Sequence, residues 1–526
     1  MALSRVSRRH FVVTAAAAGS GAVLVACGAS APPTNTPAPA KPTEAPKPAA
    51  APTTAPAAAA QGAPATAPAA AAPTAAPSPQ AGAQATKPAA GATPAAAQPA
   101  TGAAPTVNLK LLGWNYEPPL VQENIDRFQQ QNPGFKVDYE PIAGDYLEKL
   151  LTNFRAKTPM DVIYVRDQYH ASWVESGFLQ PLDEDDEIKA LYADMFPYNA
   201  NQMQWKGKKY GLPYYTDFDV FAVNMKMIND AGFDKPPATL DELRKQAETL
   251  KAKKIADSPI NMDLAKGSDA MWDFWMYTFA SGGHLLDQNG EPTYPDKDKV
   301  PLAILEWWVA AANDWQILNA KADMEPLPTG ALTAIRSQGS QPGYGTAAFM
   351  AHSRYDLEGD NAPERSKAAI PGKINVQFGL FPGLDANSPH NVPAWNRYYG
   401  IPLTAKDKKS SIALIKYLGG KDKTGQYYTA KRWWLLRALG MAYQSPWNDP
   451  EVQEKTKKFI AEPALMQKQN SLAIARDGLE NPWWTDWYMD LQANIQQALL
   501  KQKTPKEALQ ASADKARALK KEWEKK

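Results

Sequence analysis

Cys27 is the only thiol in the 526-residue chain, so its sulfur has no second cysteine with which to form a disulfide. It closes the run Leu24-Val25-Ala26-Cys27, with Gly28 after it. Small residues flanking one cysteine at the end of an apolar stretch point to acylation of that sulfur. With Cys27 so used, no thiol remains for a disulfide, a thiolate metal site or a cysteine nucleophile. The five histidines, His10, His170, His284, His352 and His390, are scattered. No G-x-S-x-G elbow, H-E-x-x-H pair, P-loop or EF-hand loop is present, so no catalytic group, cofactor or metal is expected. Gly343-Tyr344-Gly345-Thr346-Ala347-Ala348 fits a loosened dinucleotide pattern, but it follows a polar, proline-containing segment rather than a strand. The acid run Asp183 to Glu187 lacks calcium-loop spacing and reads as a solvated helix start. What remains is aromatic chemistry. All 16 Trp lie at or beyond Trp114, several in tandem: Trp307-Trp308, Trp433-Trp434 and Trp483-Trp484. Most should pack cores and a few should offer flat faces to a ligand. Trp395, in a polar stretch read as a loop, is the candidate that stands out.

The elements that position these residues start late in the chain. Ser7-Arg8-Arg9-His10-Phe11-Val12 resembles a twin-arginine export signal, and with Leu24 to Gly28 it resembles a bacterial lipoprotein signal. The apolar run from Phe11 to Ala26 is shorter than the roughly 20 residues needed to span a bilayer. From Ala29 to Pro105 no aromatic residue occurs, and 18 of the 46 prolines fall between Ala31 and Pro105. Such a composition cannot bury enough apolar surface to offset ordering entropy, so a disordered tether is expected. Extended polyproline geometry of ~3.1 Å per residue gives it a reach on the order of 200 Å at most. The net charge of +2 argues against a nucleic-acid partner.

Order is expected from Thr106. Strand at Val107–Leu112, helix with Leu120, Ile125 and Phe128 on one face, strand at Phe135–Tyr139, helix at Tyr146–Ala156 and buried strand at Met160–Val165 make a doubly wound α/β unit. Ligands in such sheets sit beyond the carboxyl ends of strands, here Trp114 to Glu117 and Arg166 to Tyr169. A second unit follows Pro213, with a strand at Phe218–Asn224, a helix capped by Thr239, an Asn-Gly hairpin in Leu285–Tyr294, and long helices thereafter. About 420 folded residues are too many for one core.

Several segments, in order, resemble the family 1 extracellular solute-binding proteins, the carbohydrate-capturing subunits of bacterial ABC importers. They are Asp161-Val162-Ile163, Gly177 to Leu182, Gly207 to Pro213, Val223-Asn224, Ala231-Gly232-Phe233, Pro236 to Leu243, Ala347 to Met350, Phe378 to Gly383, Gly400 to Leu403 and Thr504 to Leu509. The resemblance implies an α/β, two-lobed periplasmic-binding-protein (clamshell) fold, its lobes joined by crossing hinge strands and preceded by a disordered linker. Expected boundaries are 1–27 for the signal, 28–105 for the tether, 106–215 with 375–425 for the N-terminal lobe, and 216–374 with 426–526 for the C-terminal lobe. The hinge is expected near Pro213 to Phe218, with further crossings near Ile374 to Phe378 and Lys423 to Tyr428.

Carried onto this sequence, the resemblance implies ligand contacts from Trp114, Tyr116 and Glu117 and from Asp167, Gln168 and Tyr169. It further implies contacts from Tyr215 and Asp217, from Trp272, from Arg354 and Tyr355 where many members carry a stacking Trp, and from Trp395 and Tyr399. Implied partners are a carbohydrate, expected to be an oligosaccharide or glycoside, ABC permease subunits and the membrane through lipid on Cys27. A monomer on the outer face of the cell membrane or in the periplasm is expected. The alternatives are a cell-surface glycoside-active enzyme, which needs two carboxylates facing each other across a sugar, and the same fold holding a non-sugar solute.

Overall fold

Apolar patterning at Val107–Trp114 (β1) and Phe135–Ile142 (β2), and a continuous buried run at Val162–Arg166 (β3), give three parallel strands with β1 in the middle. The computed structural model describes residues 106–525 apart from 184, 268–270 and 326–344. Cys27, the segments 1–27 and 28–105, and Gly343 and Tyr344 of the glycine-rich run lie outside the described residues. Helices Pro118–Gln131 and Tyr146–Ala156 connect the strands. The first carries proline in its opening turn, and the second is capped by Asp145 accepting from the Glu148 amide.

A short hairpin, Gln204–Trp205 (β4) with Lys208–Lys209 (β5), precedes Gly211–Asn224 (β6), a strand of 14 residues. The expected break at Pro213 is not there. The strand runs through Pro213, which faces Tyr398 beside a register shift between Arg397 and Tyr398, a position where a missing N–H is tolerated. Ile260–Asn261 (β7), Phe349–Ser353 (β8), Val376–Gly379 (β9), Val392–Gly400 (β10) and Ala473–Ala475 (β11) complete the sheet. Among the described residues nine strands join in the order β2-β1-β3-β10-β6-β8-β7, with β11 on β10 and β9 on β6.

β10 contradicts the loop expected around Trp395. All nine of its residues are buried, so the polar side chains that suggested a loop are hydrogen-bonded inside a central strand rather than solvated. Asn396, for instance, bonds Gln202 at 2.6 Å.

The molecule has two lobes, each with its own core. One gathers Leu111, Ile125, Val162, Tyr164, Leu212 and Tyr398; the other gathers Val220, Trp275, Trp308, Phe349, Trp484 and Trp487. Among the described strands, β6 and β10 contribute residues to both cores, Leu212 and Tyr214 against Phe218 and Val220 to Val223 on β6, and Val392, Ala394 and Trp395 against Tyr398 and Tyr399 on β10, so these two strands cross. Residues Val376 and Phe378, expected at a crossing, instead pack in the second core, where β9 pairs with Phe221–Asn224. The segment 375–425 is accordingly shared: Val392 and Trp395 belong to the second core, Tyr398 onward to the first. The tandem Trp433-Trp434 is also split, Trp433 packing in the first core and Trp434 in the second.

Local capping follows the sequence. Thr239 accepts from the Glu242 amide, although Glu242 reaches back to the Ala238 amide rather than to Thr239. Thr504 and Glu507 form a reciprocal capping box at the start of the Pro505–Trp523 helix. Asp185 caps the Asp186–Asp194 helix, and Lys416 pairs with Asp185 and Glu187, so the acid run is a helix start.

Candidate functional site

Five aromatic rings line a cavity of about 340 Å³ between the lobes: Trp114, Tyr215, Trp272, Tyr355 and Trp395. Each is held by a different part of the fold. Trp114 ends β1 and stands edge-on to Tyr164 at 4.7 Å and Tyr146 at 5.5 Å. Tyr215 lies on β6, and Trp395 on β10. Trp272 opens the Trp272–Ala280 helix and meets Trp395 edge to face at 5.0 Å. The Arg476 guanidinium lies 3.8 Å from the Trp272 ring centre and fixes its far face.

Polar groups complete the wall. Arg166, at the end of β3, Arg397, on β10, and the carboxyl groups of Asp219, Asp263, Asp273 and Asp356 also line the cavity. Asp219 accepts from the Ser353 hydroxyl at 3.1 Å. Asp273 accepts from the Asp263 amide at 3.1 Å, and burial, reinforced by the Asp263 charge, pushes its carboxyl well above the usual range.

Asp167 lies just behind this wall. It is the first residue of the Asp167–Glu175 helix and is buried. Its Oδ1 accepts from Arg397 at 3.1 Å and from Arg476 at 3.3 Å, and its Oδ2 from the Asn396 amide at 3.1 Å. It therefore ties a first-lobe helix to the crossing strand β10 and to the segment that follows β11.

The remaining candidates fall elsewhere. Asp217 does not line the cavity: it is fully buried and paired with Arg354 at 3.0 Å. Burial pushes its carboxyl up to about 6, while Arg354 pulls the other way. Arg354 is itself packed over Phe218, Trp434 and Trp447 and bonds Asn470 at 3.2 Å, which leaves it no path to a ligand. A Cβ at Gly440 would strike this guanidinium, so the glycine makes room for it. Glu117 is held bidentately by Arg437 at 2.5 and 2.7 Å, and its pairing lowers its pKa. Tyr116 stacks on Trp433 and Tyr169 on Trp173. Gln168 is buried behind the wall, and Tyr399 packs against Tyr164 and Tyr214 in the first core.

Arg166 lines the cavity from within the strand-end stretch Arg166 to Tyr169; the cavity residues not singled out from sequence are Asp219, Asp263, Asp273, Asp356 and Arg397, with Met350, Ala351 and Ser353. Asp273 and Asp356 adjoin named candidates in sequence, and Asp219 lies two residues beyond Asp217 on the same strand. Asp263 carries no sequence signal.

Residues 114–425 match the family described as bacterial extracellular solute-binding protein. A protein of Brucella abortus with a provisional binding-protein name is 31% identical over 177 residues, which is 33% of this chain and 42% of that protein. A Brucella suis protein matches to the same extent. The aligned part thus spans less than half the length of these relatives. Maltose-bound MalE3 of T. maritima superimposes with a TM-score of 0.63 at 19% identity, covering 79% of this chain and 100% of that one. The solute-binding protein of Agrobacterium vitis with bound D-mannitol gives 0.58 at 18% identity, over 79% and 99%. At such identities the likeness is one of fold.

Proposed function

The chain belongs to the bacterial extracellular solute-binding protein family, and from that premise we propose that it captures a carbohydrate between its lobes and delivers it to an ABC importer. The observation that carries this reading is the inter-lobe cavity, where five aromatic faces stand beside fixed carboxylates and guanidiniums. Sugar rings present C–H faces that stack on aromatics and hydroxyls that need oriented polar partners. Neighbours of the same fold were solved with maltose and D-mannitol, which agrees with such a ligand.

The volume, about 340 Å³, is at the lower end of the ~300–1,000 Å³ range of small-molecule pockets. It favours a ligand of one or two rings over a long oligosaccharide in this arrangement of the lobes. Export and acylation at Cys27 would place the protein on the outer face of the membrane beside its permease. Thermal unfolding against a panel of mono- and disaccharides tests the reading, since a bound ligand raises the apparent stability as RT ln(1 + [L]/Kd). A rise confined to particular sugars is expected, with the sugar recovered unaltered. Hydrolysis products would instead support a glycoside-active enzyme.

A further inference from the structure

The charge of the cavity wall is lopsided in a way that a neutral sugar does not require. Four carboxylates, Asp219, Asp263, Asp273 and Asp356, line it against two guanidiniums, Arg166 and Arg397. Arg397 is already engaged by Asp167 at 3.1 Å and by its neighbour's carbonyl, Asn396 O, at 3.1 Å. Asp273 is the most telling group. It is 2% exposed, and its Oδ1 has no hydrogen-bond partner among the described residues. The charged groups that act on it most are Asp263 and Asp219, both carboxylates. Buried carboxylates in native proteins are paired or hydrogen-bonded, because stripping water from an unpaired charge is costly.

Taking the solute-binding reading as given, we propose that the ligand carries a protonated amine, as an amino sugar does, and that this amine docks at Asp273 beside Asp263 and Asp219. The neighbouring rings favour the same charge. Trp272 and Trp395 border the cavity with Asp273, and aromatic faces attract cations while repelling anions. Before a cation arrives, burial and the adjacent carboxylates favour the protonated form of Asp273; a cation beside it reverses that preference.

Calorimetry on the full-length protein with matched ligands tests this: glucose, glucosamine and N-acetylglucosamine, the corresponding galactose series, and two aliphatic cations, the polyamine spermidine and the quaternary ammonium choline. The amino sugar of at least one series should bind roughly tenfold or more tightly than both of its neutral counterparts. Asp273→Asn, which preserves volume and can still accept from the Asp263 amide, should close most of that gap, and Asp219→Asn should narrow it. The wild-type comparison stands alone should either variant fold poorly. If no amine, sugar-borne or aliphatic, outbinds its neutral counterpart, the proposal is overturned. Preference for spermidine or choline over every sugar would uphold the cation site and overturn the carbohydrate reading instead.

Discussion

Trp272 and Trp395 come from different elements, a second-lobe helix and a crossing strand, and meet at 5.0 Å on one side of the cavity. Truncating either to Ala should weaken carbohydrate binding by about 2 kcal/mol, as loss of a buried aromatic anchor does, with calorimetry as the measure. Asp217 makes the opposite case. Its Arg354 partner sits 3.0 Å away and both are essentially inaccessible, so Asp217→Asn should lower unfolding free energy by about 3 kcal/mol in a urea titration. A changed ligand preference at unchanged stability would return Asp217 to the site. These two cases show what was legible. Trp114, Tyr215, Trp272, Tyr355 and Trp395 could be named because strand ends and family order place them. Asp217 could not be separated from Asp219, two residues on, because sequence does not say which carboxylate meets a buried arginine from 137 positions away.

At the scale of elements, the Asp167–Glu175 helix locks onto β10 at two points, through Asp167 to Arg397 and through His170 to the Tyr398 hydroxyl. Burial lowers His170 from 6.5 to about 4, so the folded protein holds it neutral. The unfolded chain takes up the proton first as pH falls, so stability should drop on acidification from about 6.5 towards 4, by up to ~3 kcal/mol. Above 6.5 this group contributes no slope. Asp217 and Asp273, whose carboxyls are raised by burial, act in the opposite sense there, so the His170 contribution is read as the difference between wild type and His170→Gln: unfolding free energy should fall more steeply with acid in the wild type, and equal slopes in the two proteins would contradict the burial of a neutral imidazole. The first three strands and their helices were readable because each is locally amphipathic and well capped. β10 was not, because a strand buried on both faces with satisfied polar groups has no period-two signature, and Ala394–Tyr399 reads as a polar loop until its partners β3 and β6 are known.

At the scale of the molecule, the two lobes are joined by β6 and β10 and clasped by side chains that reach across. Asp167 belongs to the first lobe, while Arg476 follows β11 and packs on Trp272 and Trp484 of the second. On the proposed hinge motion, opening of the lobes would break that 3.3 Å contact, just as it would part a ligand held at once by Trp114 and Trp272. A ligand with more contacts in the closed form must shift the population towards it, and Asp167 adds a smaller bias of its own. The proposed anchor makes the measurement convenient, because replacing Cys27 removes the one native thiol. Spin labels at cysteines introduced for the exposed Lys136 on β2 and Lys245 on the Leu240–Ala252 helix, in a Cys27→Ser background, report the inter-lobe distance. The same Cys27→Ser chain should leave the membrane fraction if acylation holds the protein there, and persistence in that fraction would count against the anchor. Addition of a ligand whose binding is confirmed in the same sample should shorten the distance and narrow its distribution. Asp167→Asn should lengthen the distance without ligand and lower the affinity, although Asp167 does not line the cavity, because more of the binding free energy is then spent on closing. A distance unmoved by bound ligand in both proteins would mean a rigid pre-formed pocket, and β6 and β10 would then be struts rather than hinges.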